Sequence, residues 1–115
     1  MEYLNMDSIL GFIGVILVLG GLVMYYVGLG KSVNHIVGFR VPPTMRNPEI
    51  WKTVNIRMAK IMFVHGVITT IAGLTISETS TLVPAILAVG ILPLLGYMVY
   101  GTWYAYELEK RWLSS

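Results

Sequence analysis

Cysteine is absent from all 115 residues, which excludes disulfides, thiolate metal sites and cysteine nucleophiles. Charge is scarce as well. Asp, Glu, Lys and Arg make up 12% of the chain against 56% hydrophobic residues, where a soluble domain is roughly one quarter charged. The net charge of +2 comes without a basic stripe on a soluble face, so nucleic acid is not an expected partner. Carboxylate pairs and Ser/His/acid arrangements are missing too, so an enzyme is not expected and no cofactor is implied. His35 and His65 are the only histidines, and no carboxylate stands at partner spacing from them, which speaks against a metal site. Gly28-Leu-Gly30-Lys31-Ser32 resembles the end of a phosphate-binding loop. That motif needs a glycine five residues before Gly30, and Tyr25 stands there.

What is present in excess is apolar surface. A small soluble domain hides only about 60–70% of its chain, so the surplus must face something other than water, and lipid is the simplest candidate. One domain, 1–115, is expected, all-α and embedded in the membrane. The first uncharged stretch runs over 8–30, and the 23 residues of Ser8 to Gly30 suffice where a span needs about 20. The second helix is expected over about 48–77, with Arg57 and Lys60 near its start and His65 further in. The third, about 80–106, lies in a run uncharged from Thr79 to Tyr106. Pro84 falls in its first turn, where a missing N–H costs little, whereas the interior Pro93 should kink it. Glu2 and Asp7 ahead of the first stretch argue for a retained span rather than a signal peptide.

The basic residues set an expected orientation. Lys31, Arg40, Arg46, Lys52, Arg57 and Lys60 lie between the first span and the apolar part of the second, and Lys110 and Arg111 lie in the tail, 107–115. The N-terminal tail and the loop between spans two and three have none. Positive charge collects on the cytoplasmic side. The N-terminus is therefore expected outside and the C-terminus in the cytoplasm, in a multi-pass protein of the cell membrane.

The segment 31–47 is too polar to span, yet it interleaves Val33, Ile36, Val37, Phe39 and Val41, so it should lie in the interface. Pro42-Pro43 predicts an extended or turned backbone. Asn47-Pro48-Glu49 predicts a helix start, with an asparagine cap, proline at the first position and an acid in the first turn. On that helix Trp51, Asn55, Met58, Met62, His65 and Thr69 share one stripe at spacings of three and four. Gly66, Thr70, Gly73 and Ser77 widen it into a small, polar face suited to packing on spans one and three. Lys52, Arg57 and Lys60 point elsewhere and can snorkel to headgroups.

Asn34-x3-Gly38-x-Arg40-x3-Thr44 followed by Trp51-x3-Asn55-x-Arg57 resembles the signature of the SdpI family of bacterial and archaeal membrane proteins. Where that family often has Arg-Thr-Pro-Trp-Thr, this chain has Arg40-Val-Pro-Pro-Thr44. A short, single-module member is expected, without the further membrane domain that precedes this module in longer ones. The resemblance implies toxin immunity or membrane signalling, since the best-known member protects against a secreted peptide and sequesters a repressor at the membrane.

Asn34, Gly38, Arg40, Thr44, Trp51, Asn55, Arg57 and His65 are thus the candidate ligand-binding residues. Arg40 could hold a phosphate headgroup or a peptide carboxylate in its fork of donors, or cap carbonyls and pin a re-entrant segment. His65 could act as an intramembrane ionisable group or make an ordinary interhelical hydrogen bond. The expected partners are the lipid bilayer and a peptide or lipid ligand. A membrane protein partner or a homo-oligomer is possible as well, and the alternative function is that of a structural or accessory subunit of a larger membrane protein complex.

Overall fold

The computed structural model describes residues 6–30, 38–75 and 82–114. They form five α-helices in chain order, α1 (Met6–Gly28), α2 (Pro42–Arg46), α3 (Pro48–Thr75), α4 (Leu82–Ala85) and α5 (Leu92–Ser114), with a π-helical turn at Ile86–Ile91 between the last two. No strand occurs among the described residues. Three helical stretches are long and apolar enough to cross a membrane: Ile9–Gly28, Pro48–Thr75 and Ile86–Ser114, whose 18-residue apolar windows have mean hydropathies of 2.3, 1.4 and 1.6. Large apolar side chains such as Phe12, Leu74 and Val99 stand 66%, 81% and 71% exposed, which suits hydrocarbon and not water. The chain is a multi-pass membrane protein, drawn out to 56 × 22 × 18 Å.

Glycine brings α1 and α3 together. The helices run antiparallel and pack along their length, with Gly14 facing Thr70, Gly66 facing Val18 and Gly73 facing Gly11. A β-carbon at Gly66 would lie 2.6 Å from the Val18 backbone nitrogen and 2.9 Å from the Gly14 carbonyl oxygen. Hydrocarbon solvates an apolar helix as well as a neighbouring helix does, so close packing drives association here. The Thr70 hydroxyl returns its proton to the Gly66 carbonyl at 2.8 Å, which leaves that face without an unpaired donor. Ser77, the last residue of the predicted small face, lies outside the described residues.

Against the other side of α3 lies α5, through a cluster built on Ile50, Val54, Met58, Tyr97 and Ala105. Gly101 meets Met58 there, where a β-carbon would come within 2.7 Å of its sulfur. α1 meets α4 and the π turn at its own N-terminal end, but packs little on the body of α5. The two flanking helices therefore part toward the opposite end of the bundle.

Two local expectations need correction. Pro42-Pro43 does not continue an extended chain but opens α2. Val41 is extended, at φ −126° and ψ 163°, as a residue before proline must be. The prolines then take the first helical positions, where no N–H is required. Likewise, the disturbance expected at Pro93 is a π turn just upstream, in which the Leu92 N–H donates to Leu87 O, five residues back. Helix α3 begins at Pro48, and the Glu49 N–H donates to Asn47 Oδ1 at 2.9 Å, the cap that the sequence predicts.

Candidate functional site

Where α1 and α5 part, a lateral cleft of about 450 Å³ opens over α3. Its floor is Met58 and Met62, its walls are Met24 on one side and Leu94, Tyr97, Met98 and Thr102 on the other, and Gly38–Val41 runs across it. Four methionines make a lining that is apolar and readily reshaped, because the thioether chain is unbranched and flexible. Arg40 stands among the lining residues and supplies their one full charge.

The crossing segment is held by two side chains. Asn55, fully buried on α3, accepts from the Phe39 N–H at 2.6 Å and donates to the Trp51 carbonyl at 2.9 Å. Thr44, fully buried on α2, accepts from the Val41 N–H at 3.0 Å. Its hydroxyl stands 3.0 Å from Phe39 O and 2.8 Å from Val41 O, so its single proton serves one of them at a time. Gly38 lies at φ +117°, a conformation that side-chain-bearing residues rarely adopt. A β-carbon there would also come within 2.7 Å of the Trp51 ring. Trp51 is itself fully buried, and among the described residues nothing accepts its Nε1–H. Gly38, Thr44, Trp51 and Asn55 thus form one assembly around the segment. Asn34 lies outside the described residues.

His65 sits deeper and clasps α3 to the third span. Its Nε2 is 2.6 Å from the Val89 carbonyl and its Nδ1 is 2.8 Å from the Tyr97 hydroxyl. Pro93 lacks the N–H that would have met Val89 O four residues back, and His65 takes that donor's place. The Nε2–H tautomer satisfies both contacts, with Tyr97 donating to Nδ1. The rings meet edge to face at 5.3 Å. Of the two readings of His65, its geometry is that of the interhelical hydrogen bond.

Arg57 is tied to α5 rather than left to snorkel alone. Its Nη1 donates to Tyr100 OH at 3.0 Å and its guanidinium lies 4.6 Å over the Tyr104 ring. Arg57 does not line the cleft, so it stands apart from the Gly38–Thr44 group. At the same end Arg46 forms a two-pronged pair with Glu109, at 3.0 and 2.7 Å, and that hydrogen bond raises the guanidinium above its ordinary value. The Arg46 side chain is 58% exposed. Exposed pairs contribute little because water and salt screen them. Arg46→Ala and Glu109→Ala should each move the melting midpoint in detergent only slightly, and the double change no further than the sum. A large, non-additive loss in a melt series at low and high salt would contradict this.

Tyr97, Tyr100, Tyr104 and Glu109 are partners that reasoning from the sequence missed. The tyrosines recur at three and four on one helix, which signals a face. What they touch depends on how α5 is phased against α3, which no local pattern reveals.

Residues 31–101, which include the crossing segment, α2, α3 and α5 as far as Gly101, match the model of the SdpI/YfhL protein family. The chain is 30% identical over 84 residues to the immunity protein SdpI of Bacillus subtilis strain 168, an alignment that covers 72% of this chain and 39% of that protein. It therefore spans well under half of the length of that relative. No solved structure matches the chain. With the matched region enclosing the segment, its two anchors and most of the cleft wall, the chain belongs to the SdpI/YfhL family.

Proposed function

We propose that this chain is an SdpI-like membrane module that works by binding, taking a peptide or lipid ligand into the lateral cleft in toxin immunity or membrane signalling. The observation that carries this reading is the cleft itself, a methionine-lined opening crossed by a pinned segment that presents Arg40. The ligand fitting such a site is apolar along its length and anionic at one end, since a guanidinium favours a carboxylate or phosphate. The immunity role of the Bacillus relative supports the direction of the assignment. Nothing in the arrangement calls for a covalent step, so the reading is non-enzymatic.

All eight Lys and Arg residues lie in 31–60 or 110–111. The Arg46–Glu109 pair joins the segment between spans one and two to the end of α5. By the positive-inside bias this end faces the cytoplasm, with the N-terminus outside. A ligand would then enter from within the bilayer, between α1 and α5.

Native mass spectrometry of the protein, extracted gently from its own membrane, tests the reading. The expected result is a lone chain or homo-oligomer that carries a retained peptide or lipid, lost in Arg40→Ala while the melting midpoint stays near wild type. Stoichiometric association with other polypeptides and an empty cleft would overturn it and make the chain an accessory subunit. A collapse of stability in Arg40→Ala would assign Arg40 to holding the segment.

A further inference from the structure

Beside the α3–α5 contact lies a second cavity, of about 670 Å³, that shares no lining residue with the cleft. Lys52, Arg57 and Lys60 line it, with Tyr100 on the α5 side and Glu49 at one end. Three cations stand against one carboxylate in its lining, and among the described residues neither Lys52 nor Lys60 has a carboxylate partner. Arg57 is already oriented, by its bond to Tyr100 and by the face of Tyr104 beneath it. Tyr104 is stacked in turn on Tyr100, with ring planes 6° apart. The guanidinium is thereby fixed at little further entropic cost, with donors left over.

We infer that this cavity is a binding site for a phosphate group, with Arg57 as the fixed donor and Lys52 and Lys60 closing on it from either side along α3. Eight residues separate the two lysines, about 12 Å along a helix axis, so their long flexible arms converge on an anion level with Arg57. Ile56 and Ile61 line the same cavity, and lipid-exposed apolar residues of α3 such as Val64 and Ile68 follow. A phosphate held here can therefore carry acyl chains down the outside of the helix. The same donors would take a soluble phosphate. The site is independent of the ligand proposed for the cleft.

The test uses the full chain in nanodiscs, with phosphatidylglycerol diluted into phosphatidylcholine as one arm and inorganic phosphate in pure phosphatidylcholine as the other. The comparison is between wild type and Lys52→Gln/Lys60→Gln, which leaves the Arg57–Tyr100–Tyr104 clasp intact. Retention of phosphatidylglycerol on the released protein, read by native mass spectrometry, should fall about thirtyfold in the double variant, from the attraction of each basic side chain near an anionic surface. Protection of the groove by inorganic phosphate alone, lost in the same variant, would support the site with a soluble source. Equal phosphatidylglycerol retention by wild type and variant, with no effect of phosphate, would overturn it. Tyr100→Phe provides a second check, since it removes only the orienting hydroxyl and should weaken retention severalfold without unfolding the chain.

Discussion

Asn55→Leu should release the segment Gly38–Val41 from α3 while the three spans remain folded. Leucine has the branched shape of asparagine but neither its acceptor nor its donor, so the Phe39 N–H loses its 2.6 Å partner and the Trp51 carbonyl loses its 2.9 Å one. An orphaned buried donor costs about 1–3 kcal/mol, although pairs between membrane helices average only about 0.6 kcal/mol, because the alternatives also find partners. Phe39 is only partly buried, so the smaller figure governs global stability and the melting midpoint should fall modestly. The local effect is the large one. Amide exchange across 38–41 should rise at least tenfold, in proportion to the free energy of local opening, and ligand retention in the cleft should drop to background. Asn55→Asp keeps the acceptor and should preserve most of the protection. Unchanged exchange in Asn55→Leu would show that Thr44 and the Gly38–Trp51 contact hold the segment without it.

Gly66→Val should abolish stable packing of α1 on α3. The new β-carbon would meet backbone, namely the nitrogen of Val18 and the oxygen of Gly14, and backbone atoms cannot rotate out of the way. Overpacking a core costs about 1–3 kcal/mol where side chains can yield, and here the helices must separate. Their separation also forfeits the neighbouring contacts at Gly14 and Gly73, so the loss should exceed that range. The readout is the thermal midpoint in mild detergent, with Gly66→Ala falling between wild type and valine. Gly96→Ala is the contrast. A β-carbon there meets nothing within 4 Å, and alanine in a helix interior is favoured over glycine by up to about 1 kcal/mol, so its midpoint should rise. If Gly66→Val melts like wild type, the helices are held by something other than close approach.

Three spans could be read from the chain because hydrocarbon thickness sets a length and composition that three stretches meet and no others do. The start of α3 was equally open to reading, since the Asn47 cap, Pro48 and Glu49 act on neighbours in sequence. The stripe from Trp51 to Thr69 emerged for the same reason, and Trp51, Asn55, Met58, His65 and Thr69 are indeed buried. The failures share a cause. Pro42-Pro43 favours both a turn and a first helical turn, and the Thr44 hydroxyl, which decides between them, acts through the fold of the segment. Pro93 dictates a missing donor, but only the approach of His65 on another helix determines how its orphaned carbonyl is met. Arg57 reads as a snorkelling cation until α5 brings Tyr100 and Tyr104 beside it. Local chemistry was legible, and the phasing of one helix against another was not.

The π turn has a further consequence for the wall of the cleft. Relative to an α-helix it holds one additional residue, worth about 100° of rotation and 1.5 Å of rise for everything that follows. Tyr97 meets His65, Gly101 meets Met58 and Tyr100 meets Arg57 only with that residue in place. Ile86–Ile91 is in effect a one-residue insertion whose register the rest of the third span has adopted. A relative with a plain α-helix there would need each of these partners displaced by one position. A single-residue gap within 86–91, followed by restored alignment of the tyrosines, would be its trace in the sequences of the family.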